Sequence, residues 1–290
     1  MIKKMIFKFL KLLSVAFCML PRKMSLFLGI GIGLTLYYFI PFRRGVALTN
    51  LKIAFPNKRK SELEVILKKC YKHFGLLIAD FLQLPNLNSK NISSFINFND
   101  KAKNLLKRNS SNIIMTGHFG NWELFLPMLG YNGFRSSGVA QKQKNKSGEE
   151  FFKWLRNFKN TSVITKKNSI EAINNILDEK QNLVLVSDQY AGKRGTQNNF
   201  FKKQTSTPKG AAIFSFKKKI PILLFFIYIK KDSNYYLEAK ELKINKIKTS
   251  KKNYIEKVNQ IYNDELENIV KKYPEQYFWF HKRFDRKFYK

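Results

Sequence analysis

The chain has 290 residues, enough to bury one good core and a small extra lobe. Lysine and arginine number 54 against 20 acidic residues, a formal charge of +34, and beyond what a biased genome supplies this calls for an anionic partner: an acidic protein, an anionic membrane face or a nucleic acid. Two cysteines, Cys18 and Cys70, exclude a disulfide framework and a cysteine-built metal cluster.

At the N-terminus Lys4, Lys8 and Lys11 recur at helical spacing opposite Ile6, Phe9, Leu10 and Leu13, the pattern of a cationic amphipathic helix lying on anionic headgroups. Met24 to Phe42 follows as 19 uncharged residues between Arg22-Lys23 and Arg43-Arg44, nearly enough to cross about 30 Å of hydrocarbon. A signal peptide cleaved near Ser14-Val15-Ala16 is the competing reading, but lysines interrupt its apolar core and a second apolar stretch follows at once. Residues 1–45 therefore read as an uncleaved membrane-anchoring helical segment, and 46–290 as one body whose positive charge resists export and keeps it facing the cytoplasm.

Ser61-Glu62-Leu63-Glu64 has the spacing of a capping box. Leu63, Ile66, Leu67, Cys70, Phe74, Leu77 and Phe81 then repeat at three and four, as a long amphipathic helix requires. His73 lies beside that apolar face and reads as a packed or surface residue. Short strands are expected at 112–116, 136–140, 161–165, 182–187, 220–229 and 235–238, and helices after Glu123, from Ser147, over 170–177, from Thr207-Pro208 and over 255–269. Strands alternating with helices imply an α/β fold, and the unbroken apolar run Leu183-Val184-Leu185-Val186 suits a buried parallel strand.

Chemistry concentrates in Gly117-His118-Phe119-Gly120-Asn121-Trp122-Glu123, which ends the apolar run Ile113-Ile114-Met115. Such a turn at a strand's carboxyl end, beside a helix N-terminus, is where α/β folds keep their ligands. Imidazole, with an ordinary pKa of about 6.5, can take a proton from a hydroxyl at neutral pH if its ring is held and its cation stabilised. Glu123 is the candidate for that support. No serine or cysteine stands ready as a nucleophile, so the hydroxyl would belong to the substrate. A buried structural histidine is the alternative, because H-x-x-x-x-E by itself recurs by chance. Backbone amides near Gly120 are the candidate oxyanion donors.

A second carboxylate, Asp188, ends the strand at 182–187. The loop after it carries Gly192, Lys193, Arg194 and Gly195, which suits a phosphate or else is a plain solvated turn. Trp279, His281 and Arg283 near the end read as closing the core or the membrane-facing rim.

Several pieces in this order resemble the bacterial lipid A biosynthesis acyltransferases, the late acyltransferases that esterify a Kdo-bearing lipid A precursor. They are the N-terminal apolar segment, Arg43-Arg44 with Asn50-Leu51 and Ala54-Phe55-Pro56, the motif from Gly117 to Glu123, Asp188-Gln189 with Gly192 to Gly195, and the run from Pro274 to Phe284. The stretch from Gln141 to Lys146 matches only loosely where the family has a more defined segment on the substrate side.

The resemblance implies a glycerolipid-acyltransferase-like mixed or parallel sheet flanked by helices. It also implies an acyl carrier protein thioester as donor, a glycolipid hydroxyl as acceptor, and an enzyme of the bacterial inner membrane. His118 and Glu123 carry the family's catalytic signature, with no acyl-enzyme and no cofactor. Arg156, Asp188, Lys193, Arg194 and Gly195 are the candidate substrate contacts. Acyl transfer to another phospho- or glycolipid, a membrane-tethered nucleic-acid binder and a metal hydrolase are the competing readings. The aromatics sit in periodic apolar stretches rather than on exposed basic platforms, and one histidine with two distant carboxylates is a poor zinc set. No metal and no nucleic acid are therefore expected.

Overall fold

The computed structural model describes residues 2–166, 169–244 and 250–289; the side chains of 2–4, Lys4 among them, lie outside this description. In chain order α1 (Ile2–Met19), α2 (Arg22–Tyr38), α3 (Arg44–Ala54) and α4 (Lys60–Leu82) form a helical N-terminal half-layer. After them come α5 (Ile92–Phe95), β1 (Ile96–Asn97), α6 (Asp100–Lys107), β2 (Ile113–Thr116), α7 (Phe125–Tyr131), β3 (Ser136–Ala140), α8 (Lys146–Leu155), β4 (Thr161–Thr165), α9 (Ser169–Asp178) and β5 (Asn182–Val186). A hairpin, β6 (Thr196–Phe200) and β7 (Lys203–Thr207), precedes α10 (Gly210–Lys218), β8 (Ile222–Ile229), β9 (Tyr235–Leu242) and α11 (Lys251–Lys272).

Among the described residues seven strands form one sheet in the order β1-β9-β8-β2-β5-β3-β4, parallel throughout except for the antiparallel pair β8–β9. The α/β expectation is met. The centre of the sheet is its most apolar part, because β2, β5 and β8 are covered on both faces. Ile113 and Met115 join one core layer with α4, α10 and α11, while Ile114 joins the other with α6 and α7. That period of two seats β2 as the sheet's central, fully buried strand.

The N-terminal region departs from expectation. The apolar stretch 24–42 is not a free spanning segment: α2 ends at Tyr38 and lies along α4. The contact is backbone on backbone, since a Cβ at Gly33 would stand 2.2 Å from the Tyr71 carbonyl oxygen and one at Gly75 would stand 1.9 Å from the Gly29 carbonyl oxygen. Only glycine permits that approach. No helix among the described residues is long and apolar enough to cross a membrane.

Smaller differences have local causes. The capping carboxylate of α4 is Glu62, which accepts from the Arg59 backbone N–H at 3.0 Å, so the helix starts before Ser61. Asn145 caps α8 by accepting from Ser147 N–H at 3.0 Å. The helix expected from Thr207-Pro208 begins at Gly210 because Thr207 completes β7.

Candidate active site

β2 and β5 are neighbours in parallel register, with Thr116 opposite Val186. Two residues beyond each strand end stand His118 and Asp188, so the register alone brings them together. Asp188 Oδ1 lies 2.7 Å from His118 Nδ1, and its Oδ2 accepts from the His118 backbone N–H at 3.0 Å. A carboxylate can only accept, so Nδ1 carries the proton and Nε2 keeps its lone pair. Burial lowers the His118 pKa, but the Asp188 charge, its hydrogen bond and the more distant Glu123 charge outweigh that, leaving it above 6.5. Asp188 is completely buried; burial pushes its carboxyl up, yet His118, His281 and Arg283 hold it well below the usual carboxylate range.

The loop between His118 and Glu123 is pinned from three sides. His73 Nε2 donates to the Gly120 carbonyl at 3.2 Å, Gly120 N–H donates to the Gln276 carbonyl at 2.9 Å, and Phe278 N–H donates to the His118 carbonyl at 2.9 Å. Gly120 has φ +55, and a Cβ there would fall 1.6 Å from the Ile227 carbonyl oxygen. His73 is thus a packed residue, as expected, and it braces this turn; burial lowers its pKa to about 4. The Gly120 amide itself is spent on Gln276, so any oxyanion donor among the backbone amides near Gly120 is another residue's N–H.

Glu123 does not grip the His118 ring. A short 3-10 turn over Trp122–Leu124 turns it toward α8, where its two oxygens take Arg156 Nε at 2.9 Å and Nη2 at 2.7 Å. Arg156 also lies over the Phe152 ring, 4.7 Å from its centroid. This bidentate pair fixes a planar cation at the cavity wall.

His118, Glu123 and Arg156 line a cavity of about 350 Å³ with Trp122, Leu126, Val139 and Leu185. Asp188 is buried behind His118, which it bonds twice, and it is not among the residues that line the cavity. Lys193 and Arg194 are exposed on a 3-10 turn, Gly195 is buried behind them, and none of the three lines the cavity. The second half of the loop that was expected to hold phosphate forms the β6–β7 hairpin, packed on α11.

His281 is the residue the sequence placed elsewhere. Asn50 on α3 donates to the carbonyls of Trp279 at 2.7 Å and His281 at 2.8 Å, and so presses the C-terminal segment onto the site. The His281 ring lies 5.5 Å from that of His118, with Nε2 3.7 Å from Asp188 Oδ2. Burial lowers its pKa to about 4 against the pull of Asp188, leaving it neutral near pH 7. Trp279 and Arg283 are fully buried and close the core as expected; Arg283 donates to Thr205 Oγ1 at 2.9 Å and Asn263 Oδ1 at 2.8 Å.

The ligand atoms of His118, Asp188 and His281 lie within 4.8 Å of one another, the one cluster among the described residues with metal-ligand spacing. The 2.7 Å contact between His118 and Asp188 is a hydrogen bond, too close for two atoms sharing an ion at about 2.0–2.2 Å each in tetrahedral geometry. The buried Arg283 cation adds repulsion. These residues fit a proton-transfer pair better than a metal site.

A sequence profile of the family described as bacterial lipid A biosynthesis acyltransferase matches residues 3–286. The chain is similar to the lipid A biosynthesis palmitoleoyltransferase of Escherichia coli (strain K12), with 20% identity over 275 residues covering 91% of this chain and 86% of the relative. It is similar, at the same identity and coverage, to the lipid A biosynthesis acyltransferase of Shigella flexneri.

Proposed function

The chain belongs to the bacterial lipid A biosynthesis acyltransferase family and is an acyltransferase, and from that premise we propose that it moves a fatty acyl chain from an acyl carrier protein thioester to a hydroxyl of a lipid A precursor, with His118 as general base. The observation that carries this reading is the 2.7 Å bond from His118 Nδ1 to Asp188, which leaves Nε2 unprotonated on the cavity side. Nε2 takes the acceptor hydroxyl's proton while the alkoxide oxygen attacks the thioester carbonyl. The carbon–sulfur bond breaks, an ester forms, and the thiolate leaves with the proton held by His118. No acyl-enzyme is required. Asp188 stabilises the imidazolium formed on the way.

In this reading Glu123 acts through Arg156. It holds the guanidinium at the cavity wall for a negatively charged part of a substrate, and its charge adds to the field that favours protonated His118. The apolar lining of the cavity suits the acyl chain. Lys193 and Arg194, exposed and outside the wall, are left to long-range attraction of anions.

Membrane contact in this reading comes from residues 1–45 lying in the interface. Met5, Phe9, Leu12 and Met19 share one face of α1, and Phe9, Leu12 and Met19 are 65%, 68% and 81% exposed. Phe27 on α2 and Phe39 after it are 75% and 79% exposed. Exposed apolar side chains beside Lys8 and Lys11 suit the headgroup region of an anionic bilayer, with the body on the cytoplasmic side.

The test is the full chain in anionic vesicles with acyl carrier protein thioester and a purified lipid A precursor, read by mass spectrometry. One acyl mass is expected to be added by the unaltered protein and not by His118→Ala. Precursor that stays unacylated with the unaltered protein overturns the reading.

A further inference from the structure

A second cavity of about 290 Å³ adjoins the catalytic one and shares Ala140, Gln141, Gln143, Arg156 and Val163 with it. All five residues of β4 line it. Side chains alternate between the faces of a strand, so a pocket walled by five consecutive residues meets β4 along its edge. β4 is the last strand of the sheet. Ser136 N–H donates to the Asn160 carbonyl and Lys166 N–H donates to the Ala140 carbonyl, so the even-numbered positions face β3. Thr161, Val163 and Thr165 therefore turn their N–H and C=O groups outward, and no described strand pairs with them. Lys142 and Lys153 stand at the same pocket, Lys153 with its Nζ 3.8 Å from Glu149, a carboxylate that also lines it and accepts from Gln143 N–H.

From this arrangement we infer that the second cavity is the subsite for the phosphate end of the donor's pantetheine arm, with Lys142 and Lys153 taking the phosphate and the outward groups of β4 taking the adjoining amide. The inference rests on the acyl-transfer reading above and says where the donor lies. His118 follows β2, and β4 is three strand spacings away, about 14 Å. A phosphopantetheine arm from sulfur to phosphorus is about as long as a little over four extended residues, about 15 Å. An arm whose thioester lies at His118 thus ends at this pocket, crossing the carboxyl ends of β5 and β3. Its amides match a free strand edge as a peptide would. A lipid phosphate would share the lysines but has no use for the edge.

The experiment is a donor ladder on the full chain in anionic vesicles at fixed lipid acceptor: the acyl thioesters of phosphopantetheine, of pantetheine and of N-acetylcysteamine. Removing the phosphate is expected to lower kcat/KM about tenfold, and removing the distal amide to lower it again by several-fold. In Lys142→Gln/Lys153→Gln the phosphopantetheine-to-pantetheine ratio is expected to collapse toward one. A ratio unchanged by the double variant overturns the proposal, and so does equal use of all three donors by the unaltered protein, which requires no variant to fold. A raised KM for the lipid acceptor with the donor ratio intact assigns the lysines to an acceptor phosphate and also overturns it. If the unaltered protein transfers from no donor, acyl carrier protein thioester included, the acyl-transfer reading fails and takes the subsite with it.

Discussion

Asp188 holds His118 twice, by the ring nitrogen at 2.7 Å and by the backbone N–H at 3.0 Å. One carboxylate thus fixes both the place of the residue and the tautomer of its ring. Asp188→Asn keeps the shape but can present an amide N–H to Nδ1, which favours the wrong tautomer. Acyl transfer is expected to fall about a thousandfold or more, comparable with His118→Ala. A rate within tenfold of the parent would show that the ring does not depend on Asp188.

Glu123→Gln tests a different function. It keeps one acceptor for Arg156 but discharges the pair. The expected result is a drop of about ten- to a hundredfold in kcat/KM, with much of it in KM for the anionic substrate. Glu123→Ala frees Arg156 as well and is expected to come close to abolishing transfer. Equal effects of Glu123→Gln and Asp188→Asn on kcat alone would return Glu123 to direct support of the ring.

In the proposed mechanism His118 must be neutral to act as the base, and the Asp188 carboxylate keeps its pKa above 6.5. Activity is therefore expected to rise with pH through a value above 6.5, and the acid limb of kcat/KM against pH reads it. The stability effect has the opposite direction. A raised histidine pKa stabilises the fold fully below about 6.5, and this contribution is lost as pH rises through the folded value. The depressed Asp188 pKa contributes above its ordinary value of 3.8 and is lost as pH falls. Denaturant unfolding of His118→Gln should therefore show a larger loss relative to the parent near about pH 5.5 than near about pH 8.5.

Gly120→Ala meets both a positive φ and the Ile227 carbonyl 1.6 Å from the new Cβ. The loop has to move, and a loss of about 3 kcal/mol or more is expected in denaturant unfolding, together with loss of activity. Gly45→Ala, where nothing lies within 4 Å of the added Cβ, is the control and should stay within about 1 kcal/mol of the parent.

Phe9→Ser and Phe27→Ser remove exposed apolar surface that touches little of the protein. Each is expected to weaken binding to anionic vesicles about tenfold in a sedimentation assay, with no loss of thermal stability. Unchanged sedimentation would remove α1 and α2 from the membrane contact.

Much of this was legible in the residues. Ile113-Ile114-Met115 and Leu183-Val184-Leu185 announce buried strands because both faces are covered, and no polar position interrupts them. The β6–β7 hairpin was hidden because Gly195, Asn198 and Asn199 have the composition of a loop, and its pairing depends on α11 behind it. His118 stood out by its glycines, but its partner did not. Glu123 is near in sequence and turned away by a 3-10 turn; Asp188 is 70 positions on and adjacent only because β5 lies beside β2. His281 carries no signal of its own, because its position depends on Asn50, which clamps the last segment from another element.

The glycine seam between α2 and α4 makes the first forty residues part of the folding unit rather than a detachable tether. Gln83 Nε2 donates to the carbonyls of Phe17 at 2.8 Å and Leu20 at 3.0 Å, and Arg22 Nε lies 3.3 Å from the buried Asp80 carboxylate. Cutting the chain at Arg43 to obtain a more soluble fragment would strip α4 of its cover and leave Asp80 without its counter-ion. Asn121, which donates to that same carboxylate at 3.5 Å, sits inside the histidine motif, so the damage would travel straight to the loop that carries His118.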